Sequence, residues 1–82
     1  MQIAVLAFDG VFDTGLSSLL DTFAITNLLA SPDGESPPFA VRRIGPRQRI
    51  RTGQGLRLDL EPLAAAEDAD VVILPGLGPA TV

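Results

Sequence analysis

Residues 3–8 read "IAVLAF" and residues 70–74 read "DVVIL". Neither run alternates polar with apolar side chains, so neither is a strand with one wet face. Continuous apolar runs of this length mark strands covered on both faces, as in a parallel sheet flanked by helices. Between them the hydrophobic period changes. Leu16, Leu19, Leu20, Phe23, Ala24 and Leu28 fall on one helical stripe, with Ser17, Ser18, Asp21 and Thr22 mostly off it. Ile25 and Leu29 lie beside the stripe, where they widen the buried face or meet another subunit. Asp13 or Thr14 is placed to cap the first turn, and Ser18-x-x-Asp21 offers a later capping-box-like start. "SPDGESPP" (31–38) then breaks the helix into a polar loop.

"FAVRRI" (39–44) reads as a second strand. Arg42 and Arg43 would occupy both its faces, which suits a sheet edge. "RIRTGQGLRLDL" (49–60) carries strand-like runs either side of Gly53-Gln54-Gly55, a hairpin pattern. Glu61-Pro62 followed by "LAAAED" predicts a short helix with proline at its first position. Strands separated by helices form right-handed parallel βαβ units. The expected class is α/β, a three-layer sandwich around a parallel sheet. Two such apolar strands need more neighbours than this chain supplies, so it reads as the N-terminal half of a larger domain.

The chain has 82 residues, 46% hydrophobic and 20% charged, with net charge −4. This is a globular composition, enough for one small domain. It contains no cysteine and no histidine. A disulfide, a Cys/His zinc site and a Cys–His or Ser–His pair are thereby excluded within these residues. No metal or cofactor is implied. No apolar run is long enough to span a bilayer, and the N-terminus lacks the basic region and cleavage site of a signal peptide. No membrane partner is expected, and the chain reads as cytoplasmic. All six basic residues are arginines, Arg42, Arg43, Arg47, Arg49, Arg51 and Arg57, gathered in one stretch. Such a patch can hold phosphates; its commoner use is as the solvated face of a hairpin.

Chemistry in an open α/β sheet collects at the carboxyl ends of the strands. Two stretches sit there, "FDGVFDTG" (8–15) and "PGLGPAT" (75–81). Gly76-Leu77-Gly78 with Thr81 is a partial dinucleotide fingerprint, lacking the third glycine. The same glycines can form a nest of backbone N–H groups for an oxyanion or carboxylate, or can simply make the turn. Asp9 and Asp13 could act as acid or base groups, although a capping role is simpler for Asp13. The candidate ligand-binding residues are Asp13, Gly76, Leu77 and Gly78, and no catalytic residue is assigned.

The strings "IAVLAFDGVFDTGLSSLLDTFAITNLLA", "PPFAVRRIGPRQRIRTGQGLRLDL" and "DADVVILPGLG" together resemble the start of the ThiJ/PfpI superfamily. These proteins are class I glutamine-amidotransferase-like and have a flavodoxin-like fold. The resemblance is to the branch fused to AraC-type transcription regulators, and it covers nearly the whole chain in order. It implies a non-catalytic, ligand-sensing and dimerising domain, with a small-molecule effector. DNA would be met only through a C-terminal helix-turn-helix domain outside this sequence. In catalytic members an acidic residue opens the first helix; the matching position here is Gly15, and Asp13 is out of register. Leu77 stands where many members have glycine. The family's nucleophilic cysteine would follow the next helix, which makes residues 1–82 the N-terminal part of the domain. The alternative is a piece of a ThiJ/PfpI-type enzyme, an amidase-like, hydratase or glyoxalase-like protein. On this reading the isolated chain would be poorly stable and prone to associate through unpaired strand edges.

Overall fold

The computed structural model describes residues 1–77; Gly78 and the residues after it lie outside the described part. The first strand, β1 (Gln2–Leu6), leads into the helix α1 (Asp13–Ala30). Strand β2 (Ala40–Gly45) follows, then the hairpin of β3 (Arg49–Arg51) and β4 (Arg57–Asp59). The chain continues through a two-residue strand, β5 (Glu61–Pro62), a 3-10 turn (Leu63–Ala66) and β6 (Val71–Ile73). The main sheet has the order β5-β2-β1-β6, and every pairing in it is parallel. Together these elements form an α/β architecture consistent with a flavodoxin-like fold.

β1 lies between two neighbours, as its uninterrupted apolar run requires. Ile3, Ala4 and Val5 are all buried. Parallel register pairs Ile3 with Val41 and Val71, and Val5 with Ile73. Ile3, Val5, Val41 and Ile73 share one face with Leu16, Leu19, Leu20 and Phe23 of α1 in a single core cluster. Ala4 and Leu6 point to the other face, opposite Arg42 and Ile44. The crossover from β1 to β2 and the one from β5 back to β6 run in opposite directions along the sheet. Right-handed connections therefore put α1 and the 3-10 turn on opposite faces.

The helical stripe is packed at its start and open at its end. Leu16 is buried, while Ile25, Leu28 and Leu29 are exposed. The far end is held by a polar clasp. Asn27 donates Nδ2–H to the Phe39 carbonyl at 2.7 Å and accepts the Phe39 N–H at 2.9 Å. Beside it the Phe23 and Phe39 rings meet edge to face at 5.0 Å. Asn27→Ala removes both bonds and leaves the half-buried Phe39 backbone without partners. A loss of about 1–2 kcal/mol is expected, measured by urea unfolding. At the helix end the Ser31 N–H bonds to the Asn27 carbonyl, and Asp33 accepts from the Glu35 N–H and the Ser31 hydroxyl. Those two donors hold the Asp33 carboxyl below its ordinary range, the Glu35 N–H contributing most.

Several expectations change. α1 begins at Asp13 with Phe12 as its N-cap, and no side chain caps it. Asp13 is therefore not the cap, and Ser18 to Asp21 lie inside the helix rather than at a second start. β1 ends at Leu6 because the chain turns away before Phe8. Glu61-Pro62 pairs as β5 with Ile44 and Gly45, and the expected short helix is a 3-10 turn over Leu63–Ala66 with Pro62 as its N-cap rather than its first residue. Proline tolerates this position because the strand lies at the sheet border, where its missing N–H costs nothing. β2 is consequently not the outermost strand, although β5 covers only its last two residues. β6 is not doubly buried in the described residues. It pairs with β1 alone, and Val71 and Val72 are 40% and 53% exposed.

Candidate functional site

The loop after β1 and the turn after β6 meet at the carboxyl end of the sheet. The Phe12 N–H donates to the Gly76 carbonyl at 2.9 Å, and Val11 forms an antiparallel bridge with Leu77. Gly10, at φ +86°, lets the loop double back from β1. The two stretches singled out in the sequence are thus brought together by backbone hydrogen bonds. Gly76 has ordinary negative φ, and open space surrounds the position where a Cβ would stand. Its carbonyl, not crowding, ties it to the loop. Gly78 lies outside the described residues, as does the rest of the partial dinucleotide fingerprint.

The hairpin closes the same region, and two carboxylates hold it there. Asp13 Oδ2 accepts the Thr52 hydroxyl at 2.6 Å, and its Oδ1 accepts the Gln54 N–H at 3.0 Å. Asp9 Oδ1 accepts the Arg51 N–H, and its Oδ2 accepts Arg47 Nη1, both at 3.0 Å. Backbone bonds reinforce the seam: Gly53 N–H to the Val11 carbonyl at 2.9 Å, and Gly10 N–H to the Arg51 carbonyl at 2.8 Å. Thr52 is buried, and its Oγ also receives the Leu56 N–H at 3.0 Å. Three of these four oxygens are thus engaged by hairpin donors, and the fourth by Arg47 in the bend just before β3. The two aspartates act as braces between two segments far apart in the chain. Sequence reasoning weighed Asp13 as a cap or a pocket acid; its role as a brace depends on partners about forty residues away, which no local pattern shows.

Gly15 is the third residue of α1, within its first turn. A Cβ there would stand 3.1 Å from the Phe12 ring. Any side chain at this position has to displace that ring, which is half exposed and free to give way.

On the outer face of the hairpin is an open concavity of about 360 Å³, lined by Asp9, Arg47, Arg49, Ile50, Arg51 and Arg57. A second hollow of about 580 Å³ lies beside Gly45, Pro46, Leu60, Pro62 and Leu63, at the carboxyl ends of β2 and β5. Among the described residues, no helix is long and apolar enough to cross a membrane.

No family model matches this sequence, and no curated protein matches it. Among solved structures, the chain is similar to the crystal structure of an AraC family transcriptional regulator from Pseudomonas putida. The TM-score is 0.76 at 19% identity, over 99% of this chain and 49% of the regulator. The chain therefore spans about half the length of that protein. At this identity the likeness speaks for the fold.

Proposed function

We propose that the chain is the effector-sensing and self-associating part of an AraC-type transcriptional regulator, built on a ThiJ/PfpI-like domain and without catalytic activity. The observation that carries this reading is the likeness of fold to an AraC family regulator along 99% of the chain. The state of the site agrees with it. Asp9 and Asp13 are spent on the hairpin, and glycine stands at position 15 beneath the Phe12 ring. A thiolate or amide chemistry would need an acid–base partner that these residues do not offer. In this reading Asp13, Gly76 and Leu77 form one wall of the effector site, and Gly78, outside the described residues, is assigned to ligand binding from the sequence alone. Hairpin and loop would respond to the ligand together, and the exposed apolar end of α1 would serve dimerisation. DNA would be met by a helix-turn-helix domain elsewhere in the protein.

The test is twofold. The gene encoding these residues should continue into two helix-turn-helix units, and the purified chain should neither consume methylglyoxal nor hydrolyse amide substrates above the buffer rate. A cysteine on a strand-to-helix elbow in the following segment, together with turnover, would overturn the reading in favour of an enzyme.

A further inference from the structure

β3 and β4 are antiparallel, with Arg49 opposite Asp59, Ile50 opposite Leu58 and Arg51 opposite Arg57. Ile50 is buried beneath the hairpin, so its neighbours Arg49 and Arg51 project outward, as do their partners Arg57 and Asp59. Arg51 and Arg57 thus face each other directly across the ladder. Like charges in that position are destabilising. A hairpin that served only solubility would gain by placing an acid at either site, as it does at Asp59, which receives Arg49 Nε at 2.9 Å.

Among the described residues the repulsion has no internal remedy. The Asp9 carboxylate is committed to Arg47 and to the Arg51 backbone. Arg51 Nη1 reaches only the Gly55 carbonyl, at 3.4 Å. Among the described residues, the Arg57 guanidinium has neither a hydrogen-bond nor an ion-pair partner. Four guanidinium groups, from Arg47, Arg49, Arg51 and Arg57, therefore surround one concavity of about 360 Å³ against two carboxylates. The local excess is two positive charges, in a chain whose net charge is −4.

We propose that this outer face of the hairpin is a binding site for a phosphomonoester dianion. A monoester carries close to two negative charges at neutral pH and three acceptor oxygens. Both features match a pair of opposed planar guanidinium groups, each able to give two parallel N–H donors. The bound dianion would neutralise the excess charge and turn the Arg51–Arg57 repulsion into a shared contact. A phosphodiester, with one charge, leaves half of that excess uncompensated. The site adjoins the loop seam through Asp9, Arg47 and Arg51, which line it, but the inference does not depend on the regulatory reading.

The full chain is titrated with methyl phosphate at pH 7.5 and constant ionic strength, against dimethyl phosphate and chloride. At about three times its dissociation constant, methyl phosphate is expected to raise the melting temperature by about 3 °C. Dimethyl phosphate should do no more than chloride. Arg57→Gln should bind methyl phosphate about tenfold more weakly. In phosphate-free buffer the same variant should melt about 2 °C higher than the parent, because the like-charge pair is gone. Arg42→Gln, which removes the same charge from β2, should stay within about twofold of the parent. Arginine Nε–Hε resonances offer a measurement without substitution, and those of Arg51 and Arg57 should move most. The proposal is overturned by equal shifts from methyl phosphate and chloride, by equal binding of the diester, or by an Arg42→Gln loss matching that of Arg57→Gln.

Discussion

Gly45→Ala is expected to cost about 3 kcal/mol, the largest effect of a methyl added at any of the described glycines. Gly45 closes β2 where that strand, β5 and the end of β1 converge, and it is buried. A Cβ there would lie 2.7 Å from the Ala7 carbonyl oxygen and would collide with the Leu60 side chain. Leu60 can rotate, but the Ala7 oxygen belongs to backbone held next to β2 by its own N–H bond to the Ile44 carbonyl at 3.0 Å. Relief therefore requires the two central strands to part. Small domains of this size lose about 4–8 °C in melting temperature per kcal/mol, so a fall of about 12 °C or more is expected by calorimetry. Gly76→Ala is the control. Open space surrounds that position and its φ is ordinary, so its change should stay within about 0.5 kcal/mol. Equal effects from the two substitutions would show that crowding at Gly45 is not what demands glycine.

Asp13→Ala is expected to cost about 2–3 kcal/mol and to loosen the hairpin more than the sheet. The carboxylate receives one hydroxyl and one backbone N–H at 2.6 and 3.0 Å, and hydrogen bonds to a charged acceptor are worth about 1.5–3 kcal/mol. Its removal leaves the buried Thr52 hydroxyl without an acceptor. Part of the loss would come from the favourable charge that Asp13 places in the first turn of α1, about 0.3–1 kcal/mol. A double-mutant cycle with Thr52→Val separates the contributions, because the helix does not sense the threonine. The coupling expected between Asp13 and Thr52 is about 1–2 kcal/mol. Hydrogen exchange should show the Gln54 amide losing protection while those of Ile3 to Val5 keep theirs. Zero coupling, with the loss confined to the helix, would mean that Asp13 serves only the helix end.

How much of this can be read from residues alone follows the range of the forces involved. β1 is legible because "IAVLAF" admits only a strand covered on both sides, and that is where Ile3 to Val5 are found. α1 is legible from its 3.6-residue stripe, and the hairpin from Gly53-Gln54-Gly55. Misreadings occur where a distant partner outweighs a local preference. Glu61-Pro62 carries a helix-start signature, and a 3-10 turn does follow Pro62, yet Ile44 and Gly45 recruit the two residues themselves as a strand. Asp13 carries a capping signature, yet Thr52 and Gln54 take both its oxygens. Apolar content reports what a strand could cover, and among the described residues β6 has only β1 beside it. In the loop seam, Gly76 and Leu77 meet the first loop through backbone atoms. Side-chain identity carries little information about such bonds.

The braces between loop and hairpin also bear on the order in which the molecule assembles. Asp9 and Asp13 reach partners 38 to 42 positions further along the chain, whereas the turns of α1 and the ladder of β3 with β4 close over short spans. Closing a long loop carries an entropy cost that must be met before its contacts can repay it. Helix and hairpin should therefore form early and separately, and their seam should lock late, after β1 and β2 have paired. On unfolding, the same seam should be the first to open.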